Sequence, residues 1–249
     1  MTNIGIFDSG LGGLTVLKEL IKQKNANYFY FGDSLRAPYG NRDEKQIIEF
    51  SDQIVNYLEN FNIDYYVIAC NTMSITSTKF LTEKYKKKFY PITDGGLIGA
   101  KNFAGDFLVL GTKKTIDSHF YKNNIEKLTG SKVYEIAAVK LVDFIENGII
   151  SGDELDEILK EYLEIANERK IANIILACTH YPIIEDSIRK NLTYKANIIN
   201  PANHFAYILN RNENSSSKIK IIMSKIDNNT KNMIDMVIDR DYQLLIKEL

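Results

Sequence analysis

At 249 residues, with 45% hydrophobic and 25% charged side chains and a formal net charge of -1, the chain has ordinary globular composition. Its length allows one large domain or two modest ones, and its charge balance excludes the basic footprint of a nucleic-acid binder or of a protein drawn to anionic membrane. Two cysteines make no disulfide framework, no apolar run nears the roughly 18 residues of a membrane helix, and no signal segment opens the chain. The expected place is the cytoplasm, with both thiols reduced.

Ile4 to Phe7 is a short apolar run that leads into Asp8-Ser9-Gly10 and Gly12-Gly13, and Leu14, Val16, Leu17, Leu20 and Ile21 follow at helical spacing. That order predicts strand, tight turn and helix. A second strand, Tyr28 to Phe31, ends at Gly32-Asp33, before a turn-rich loop holding Arg36-Ala37-Pro38-Tyr39-Gly40. Ile47, Ser51, Ile54, Val55 and Leu58 mark one face of the next helix, which delivers the chain to a strand at Tyr66 to Ala69 and to Cys70. A helix over about Ser74 to Tyr85 and a short strand at Phe89 to Ile92 complete the first round.

The second round opens at Phe107 to Leu110, which ends in Gly111-Thr112 much as the first strand ends in Asp8-Ser9. A helix around Ser118 to Leu128, a strand at Val133 to Ala137, a segment holding Glu146 and a long helix from Asp153 to Arg169 lead to a strand at Asn173 to Ala177 and to Cys178. Beyond it come a strand at Ala196 to Ile199, a helix near Ala202 to Leu209, a polar loop expected to be mobile at Asn210 to Ser217, and a last strand and helix near Ile219 to Met223 and Thr230 to Ile238.

Alternating strands and helices imply an α/β fold of mainly parallel sheets with helices on their faces. The repeat predicts two similar, doubly wound lobes facing each other across a cleft: residues 1–95 and 207–249 in the first, 96–206 in the second. Open parallel sheets bind ligands beyond the carboxyl ends of their strands, where Asp8, Ser9, Asp33, Cys70, Asn71, Thr72, Thr112, Cys178, Thr179 and His180 all fall.

Both cysteines end an apolar run in Ala-Cys followed by small polar residues, Cys70-Asn71-Thr72 and Cys178-Thr179-His180. One such cysteine is ordinarily a small buried hydrophobe, but two in matching places suggest paired chemistry, since the polar residues beside them waste burial unless something polar binds. Zinc is poorly served without further Cys or His at ligand spacing, and no redox C-x-x-C is present. A Cys and His protease arrangement through His180 leaves the second thiol unexplained. The glycines after Asp8 fit neither a dinucleotide nor a P-loop fingerprint, so they predict a tight turn baring N–H groups at a helix start. Asp8 can simply cap that helix.

Together these stretches resemble the cofactor-independent glutamate racemases of the aspartate/glutamate racemase superfamily over nearly the whole chain. The resemblance rests on Asp8-Ser9-Gly10 with Gly12-Gly13, on Asp33 to Gly40, on Ala69 to Thr72, on Gly111-Thr112 with Thr115, Ser118 and Tyr121, and on Cys178-Thr179-His180-Tyr181-Pro182. It implies catalysis by Cys70 on D-glutamate and Cys178 on L-glutamate, with Asp8 and His180 as their neighbours and Glu146 assisting near His180. Substrate contacts would come from Asp8, Ser9, Tyr39, Gly40, Asn71, Thr72, Thr179 and His180. No cofactor and no metal are implied; the partner is the small molecule glutamate, with no nucleic acid or membrane, and a homodimer is the assembly admitted. His180, where aspartate racemases have Glu, favours glutamate; an acidic amino-acid racemase of other specificity and a non-catalytic amino-acid sensor are the alternatives. The chain departs from the family pattern at Ala138-Val139 and Asp143 near Glu146, at Thr93-Asp94-Gly95, at Met73 and at Ala177.

Overall fold

The computed structural model describes residues 1–23, 25–205 and 217–249. Its first half runs β1 (Asn3–Asp8), α1 (Leu14–Gln23), β2 (Asn27–Gly32), α2 (Glu44–Leu58), β3 (Tyr65–Ile68), α3 (Asn71–Tyr85), β4 (Phe89–Pro91) and α4 (Thr93–Ala100). The second round runs β5 (Phe107–Gly111), α5 (Lys113–Asp117), α6 (Phe120–Thr129), β6 (Val133–Ala137), α7 (Leu141–Glu146), α8 (Asp153–Tyr162), α9 (Glu164–Arg169), β7 (Asn173–Ala177), α10 (Glu185–Lys190), β8 (Asn197–Ile199) and α11 (Pro201–Phe205). The chain then returns through β9 (Ile219–Met223), α12 (Asn228–Val237) and β10 (Gln243–Ile246). None of the described helices is long and apolar enough to cross a membrane.

Two sheets result, ordered β10-β9-β2-β1-β3-β4 and β6-β5-β7-β8, and every described strand pairing is parallel. The runs β2-β1-β3-β4 and β6-β5-β7-β8 repeat one plan, in which the first strand lies between the second and third. Chain direction therefore reverses across the sheet at β1/β3 and at β5/β7, and a crevice opens at each reversal. Ser9 and Cys70 stand at the first, Thr112 and Cys178 at the second. Central strands buried on both faces must be apolar throughout. Ile4, Ile6 and Phe7 in β1 and Phe107 to Leu110 in β5 are all fully buried.

Helix α1 lays Leu14, Val16, Leu17 and Leu20 into a core that continues through Phe205 of α11 to Leu108 and Leu110 of the second sheet. The two lobes thus share one apolar seam, with α11 packed against both α1 and α4. Helix α2 buries Ile47, Ser51, Ile54, Val55 and Leu58 as its spacing predicts, and the one hydroxyl in that stripe is paired: Ser51 donates to the Ile47 carbonyl at 2.7 Å and lies 2.8 Å from Ser77 Oγ.

Several elements differ from the sequence reading. Helix α4 lies in a glycine-rich stretch to which the sequence reading assigns no element, because tertiary contact overrides propensity there. A Cβ on Gly95 would come 2.2 Å from the Pro201 carbonyl, and one on Gly96 2.5 Å from the Tyr121 ring, so these glycines are what let α11 and α6 close on α4. Strand β10 is short, polar-flanked and missed by the sequence reading; it adds to β9 at the sheet edge. The long helix expected over Asp153 to Arg169 is interrupted at Leu163, where nothing in the local sequence marks a break. Helix α3 begins at Asn71, three residues earlier than predicted, so Cys70 itself is its N-cap. The end of the helix predicted to Leu209, and all of the loop predicted as mobile but Ser217, lie outside the described residues.

Candidate active site

The two thiols face one narrow cleft between the lobes. Ser9, Tyr39, Gly40, Asn71, Thr72, Thr112, Glu146, Thr179 and His180 share its walls with Cys70 and Cys178, each of which is only 6% exposed. Asp8 is fully buried behind that wall. Its Oδ1 accepts the Gly10 N–H at 3.0 Å and its Oδ2 accepts the Thr179 hydroxyl at 3.3 Å, so it holds the glycine turn and reaches across to the other lobe. Burial pushes the Asp8 carboxyl above its usual range, while the charge of His180 and the Gly10 and Gly13 N–H groups pull the other way.

Cys70 occupies the N-cap position of α3, with its Sγ 3.7 Å from Ser9 Oγ and near the Met73 N–H. Burial first, then the neighbouring Asp8, push this thiol up to about 12, against the pull of Met73 N–H and Ser9. The surroundings of Cys178 have the opposite character. Its Sγ lies 3.8 Å from His180 Nδ1, and His180 Nε2 lies 3.1 Å from Glu146 Oε1 at the end of α7. Burial opposes charge on His180, but the sulfur and the Glu146 carboxylate outweigh it and raise the imidazole to about 10. At neutral pH the imidazole is then positive, with one N–H directed to each neighbour.

Each Cys-containing turn is also held by the opposite lobe. Thr15 of α1 donates to the Thr179 carbonyl at 3.0 Å. On the other side Thr72 Oγ1 lies 3.0 Å from Thr112 Oγ1, and Tyr121 of α6 donates to Asn71 Oδ1 at 2.6 Å. The approach is close: a Cβ on Gly12 would meet Thr179 Oγ1 at 2.5 Å and His180 Nδ1 at 2.6 Å, and one on Gly13 would meet Asp8 Cβ at 2.5 Å. Gly12 makes room for the second lobe's Cys-Thr-His turn, and Gly13 for the Asp8 and Tyr30 side chains of its own lobe. In the loop after β2, the Tyr39 hydroxyl donates to Asp33 Oδ2, the oxygen that also receives Arg36 Nε.

A proton-donating thiol on one wall and a thiol beside a cationic imidazole on the other is the equipment for moving a proton from one face of a bound carbon to the other. A family model described as Asp/Glu/Hydantoin racemase matches residues 11–205. The chain belongs to that family. It is 36% identical over 236 residues to glutamate racemase 3 of Caldanaerobacter subterraneus, spanning 90% of this chain and 86% of that one. It is 34% identical over 255 residues to the glutamate racemase of Persephonella marina, spanning 99% and 97%. The crystal structure of Francisella tularensis glutamate racemase in complex with D-glutamate superposes with a TM-score of 0.88 at 30% identity, covering 100% of this chain and 97% of that one.

This racemase places the departures from the family pattern in different surroundings. Val139 and Asp143 line a hollow adjoining the cleft beside Gly40 and Lys113, whereas Met73 and Ala177 are buried in the cores of the two lobes. Among the described residues, no group of three His, Cys, Asp or Glu could hold a metal ion. Sequence reasoning missed Thr15, although a polar residue inside the apolar stripe of α1 was a signal. It also gave no task to Tyr121, whose partner lies 50 positions away and is visible only in three dimensions.

Proposed function

We propose that this racemase interconverts L- and D-glutamate by a two-base mechanism without a cofactor, Cys178 serving the L face and Cys70 the D face. The observation that carries the reading is the placement of both cysteines, at the ends of equivalent strands in two repeated lobes, on one cleft with unlike partners. His180 supplies positive charge beside Cys178 and Glu146 steadies it; Cys70, pushed up to about 12, keeps its proton. The site is therefore read as ready for L-glutamate, with Cys178 beside the imidazole taking the proton and Cys70 donating one to the opposite face. One turnover moves a proton from substrate to Cys178 and another from Cys70 to the opposite face, leaving the charges exchanged and the site ready for D-glutamate.

An α-proton is a far weaker acid than a thiol of ordinary pKa about 8.5, so the carbanion needs donors already aimed at the carboxylate. The Ser9 and Thr72 hydroxyls, the Asn71 amide and the main chain at Gly40 and Thr179 supply them in this reading. Asp8 acts from behind, fixing the turn that carries Ser9 and raising the proton affinity of Cys70. Product D-glutamate would serve peptidoglycan synthesis, a role that rests on the family resemblance, as does cytoplasmic placement. The test is conversion of L-glutamate by purified protein with no added cofactor, in deuterated water, with aspartate compared. Product labelled from the first turnover, recovered substrate almost unlabelled and aspartate much poorer support the reading. Equal labelling of substrate and product, or preference for aspartate, overturns it.

A further inference from the structure

We infer that Tyr121, which does not line the cleft, is a positioning residue that fixes which end of the Asn71 side-chain amide faces the substrate. The inference rests on the glutamate racemase reading above and adds a residue to its binding apparatus. Asn71 opens α3 directly after Cys70 and lines the cleft. Its amide offers a carbonyl oxygen at one end and two N–H donors at the other, and a half-turn exchanges them. For an anionic carboxylate the difference decides binding, because one orientation presents donors and the other an acceptor that repels it.

Tyr121 settles the orientation from outside. It is fully buried, and its hydroxyl lies 2.6 Å from Asn71 Oδ1, the one hydrogen bond the hydroxyl makes among the described residues. Were the amide turned, the phenol would have to accept from the amide nitrogen, and its own proton would be left buried with no acceptor. Donation from Tyr121 to Oδ1 is the arrangement that satisfies both groups, and it leaves the Asn71 N–H donors for the cleft. Burial, with Asp94 nearby, raises the phenol well above its ordinary range, so it remains a donor at every working pH. The ring itself cannot drift. It packs edge-on against Gly96 of α4, where even one added methyl would come within 2.5 Å. Tyr121 belongs to the second lobe and Asn71 to the first, so the bond also ties the orientation of a binding group to the packing of the lobes.

The test is a double-mutant cycle with Tyr121→Phe and Asn71→Ala, read as KM and kcat for both enantiomers and as thermal midpoint. Tyr121→Phe should raise KM for L- and D-glutamate by roughly tenfold, the scale of one hydrogen bond to a charged group, with kcat changed by less than about threefold. In the Asn71→Ala background the same substitution should have no further effect on KM, because there is no amide left to orient. An unchanged KM in Tyr121→Phe, or an equal rise in both backgrounds, overturns the inference. If Tyr121→Phe does not fold, Gly96→Ala, which presses on the ring without touching the cleft, gives the same readout. Absence of glutamate racemisation in the unsubstituted protein would instead remove the functional reading beneath it.

Discussion

Replacing Gly12 by alanine tests whether the glycine turn admits the second lobe's Cys-Thr-His turn. The added Cβ would lie 2.5 Å from Thr179 Oγ1, 2.6 Å from His180 Nδ1 and 2.8 Å from His180 Cε1. Ordinary contacts are about 3.5 Å or more, so something must move by about 1 Å. Forced overpacking of this kind costs about 1–3 kcal/mol, which for a chain this long lowers the thermal midpoint by roughly 2–12 °C. A catalytic group displaced by about 1 Å costs on the order of 100-fold in rate. By symmetry the two enantiomers are equally stable, so kcat/KM must fall by the same factor in both directions, although the displaced side chains adjoin Cys178 alone. Steady-state kinetics from each enantiomer and a melting curve read both effects. Gly130→Ala is the control: Gly130 has φ +71° with open space around it, so alanine there costs about 1–2 kcal/mol of backbone strain and should leave kinetics unchanged. Normal kcat/KM in Gly12→Ala would refute the reasoning, as would equal losses in both variants.

Cys70→Ser and Cys178→Ser should each lower net racemisation in both directions by at least about 1,000-fold, since a turnover needs both groups. In deuterated water Cys70→Ser should still exchange the α-proton of L-glutamate, and Cys178→Ser that of D-glutamate; near-normal racemisation by either variant would sink the two-base scheme. His180 supplies the pH dependence. Its folded value, about 10, stands above the ordinary 6.5, so its contribution to stability is complete below about 6.5 and is lost as pH rises through about 10. Denaturant titrations at pH 6 and pH 10 should show a loss in the native protein that His180→Gln lacks, and kcat/KM should fall over the same alkaline range; a loss undiminished in the variant would assign it to another group.

The alternation of apolar runs with helical stripes was enough to read two rounds of α/β structure, because buried parallel strands leave no choice of composition and α2 shows its inner face residue by residue. The matching of Cys70 with Cys178 was equally visible, since each closes a strand that must be buried, and local sequence offered no partner for the polar residues that follow. Local sequence could not show which contacts cross between the lobes. Gly12 looked like a turn former and is one, and its missing side chain is also the space into which Thr179 and His180 fit. Asp8 reads as a catalytic and substrate-binding residue or as a cap, and sequence could not show that it is buried and accepts from Thr179, 171 positions away. Helix α4 has the composition of a loop and exists because α6 and α11 press on its glycines. The unlike character of the two thiols was likewise decided by the tertiary fold. One strand-end cysteine is brought against a buried carboxyl and the other against an imidazole braced by Glu146, and electrostatic influence depends on distance in space, which similar strand ends do not encode.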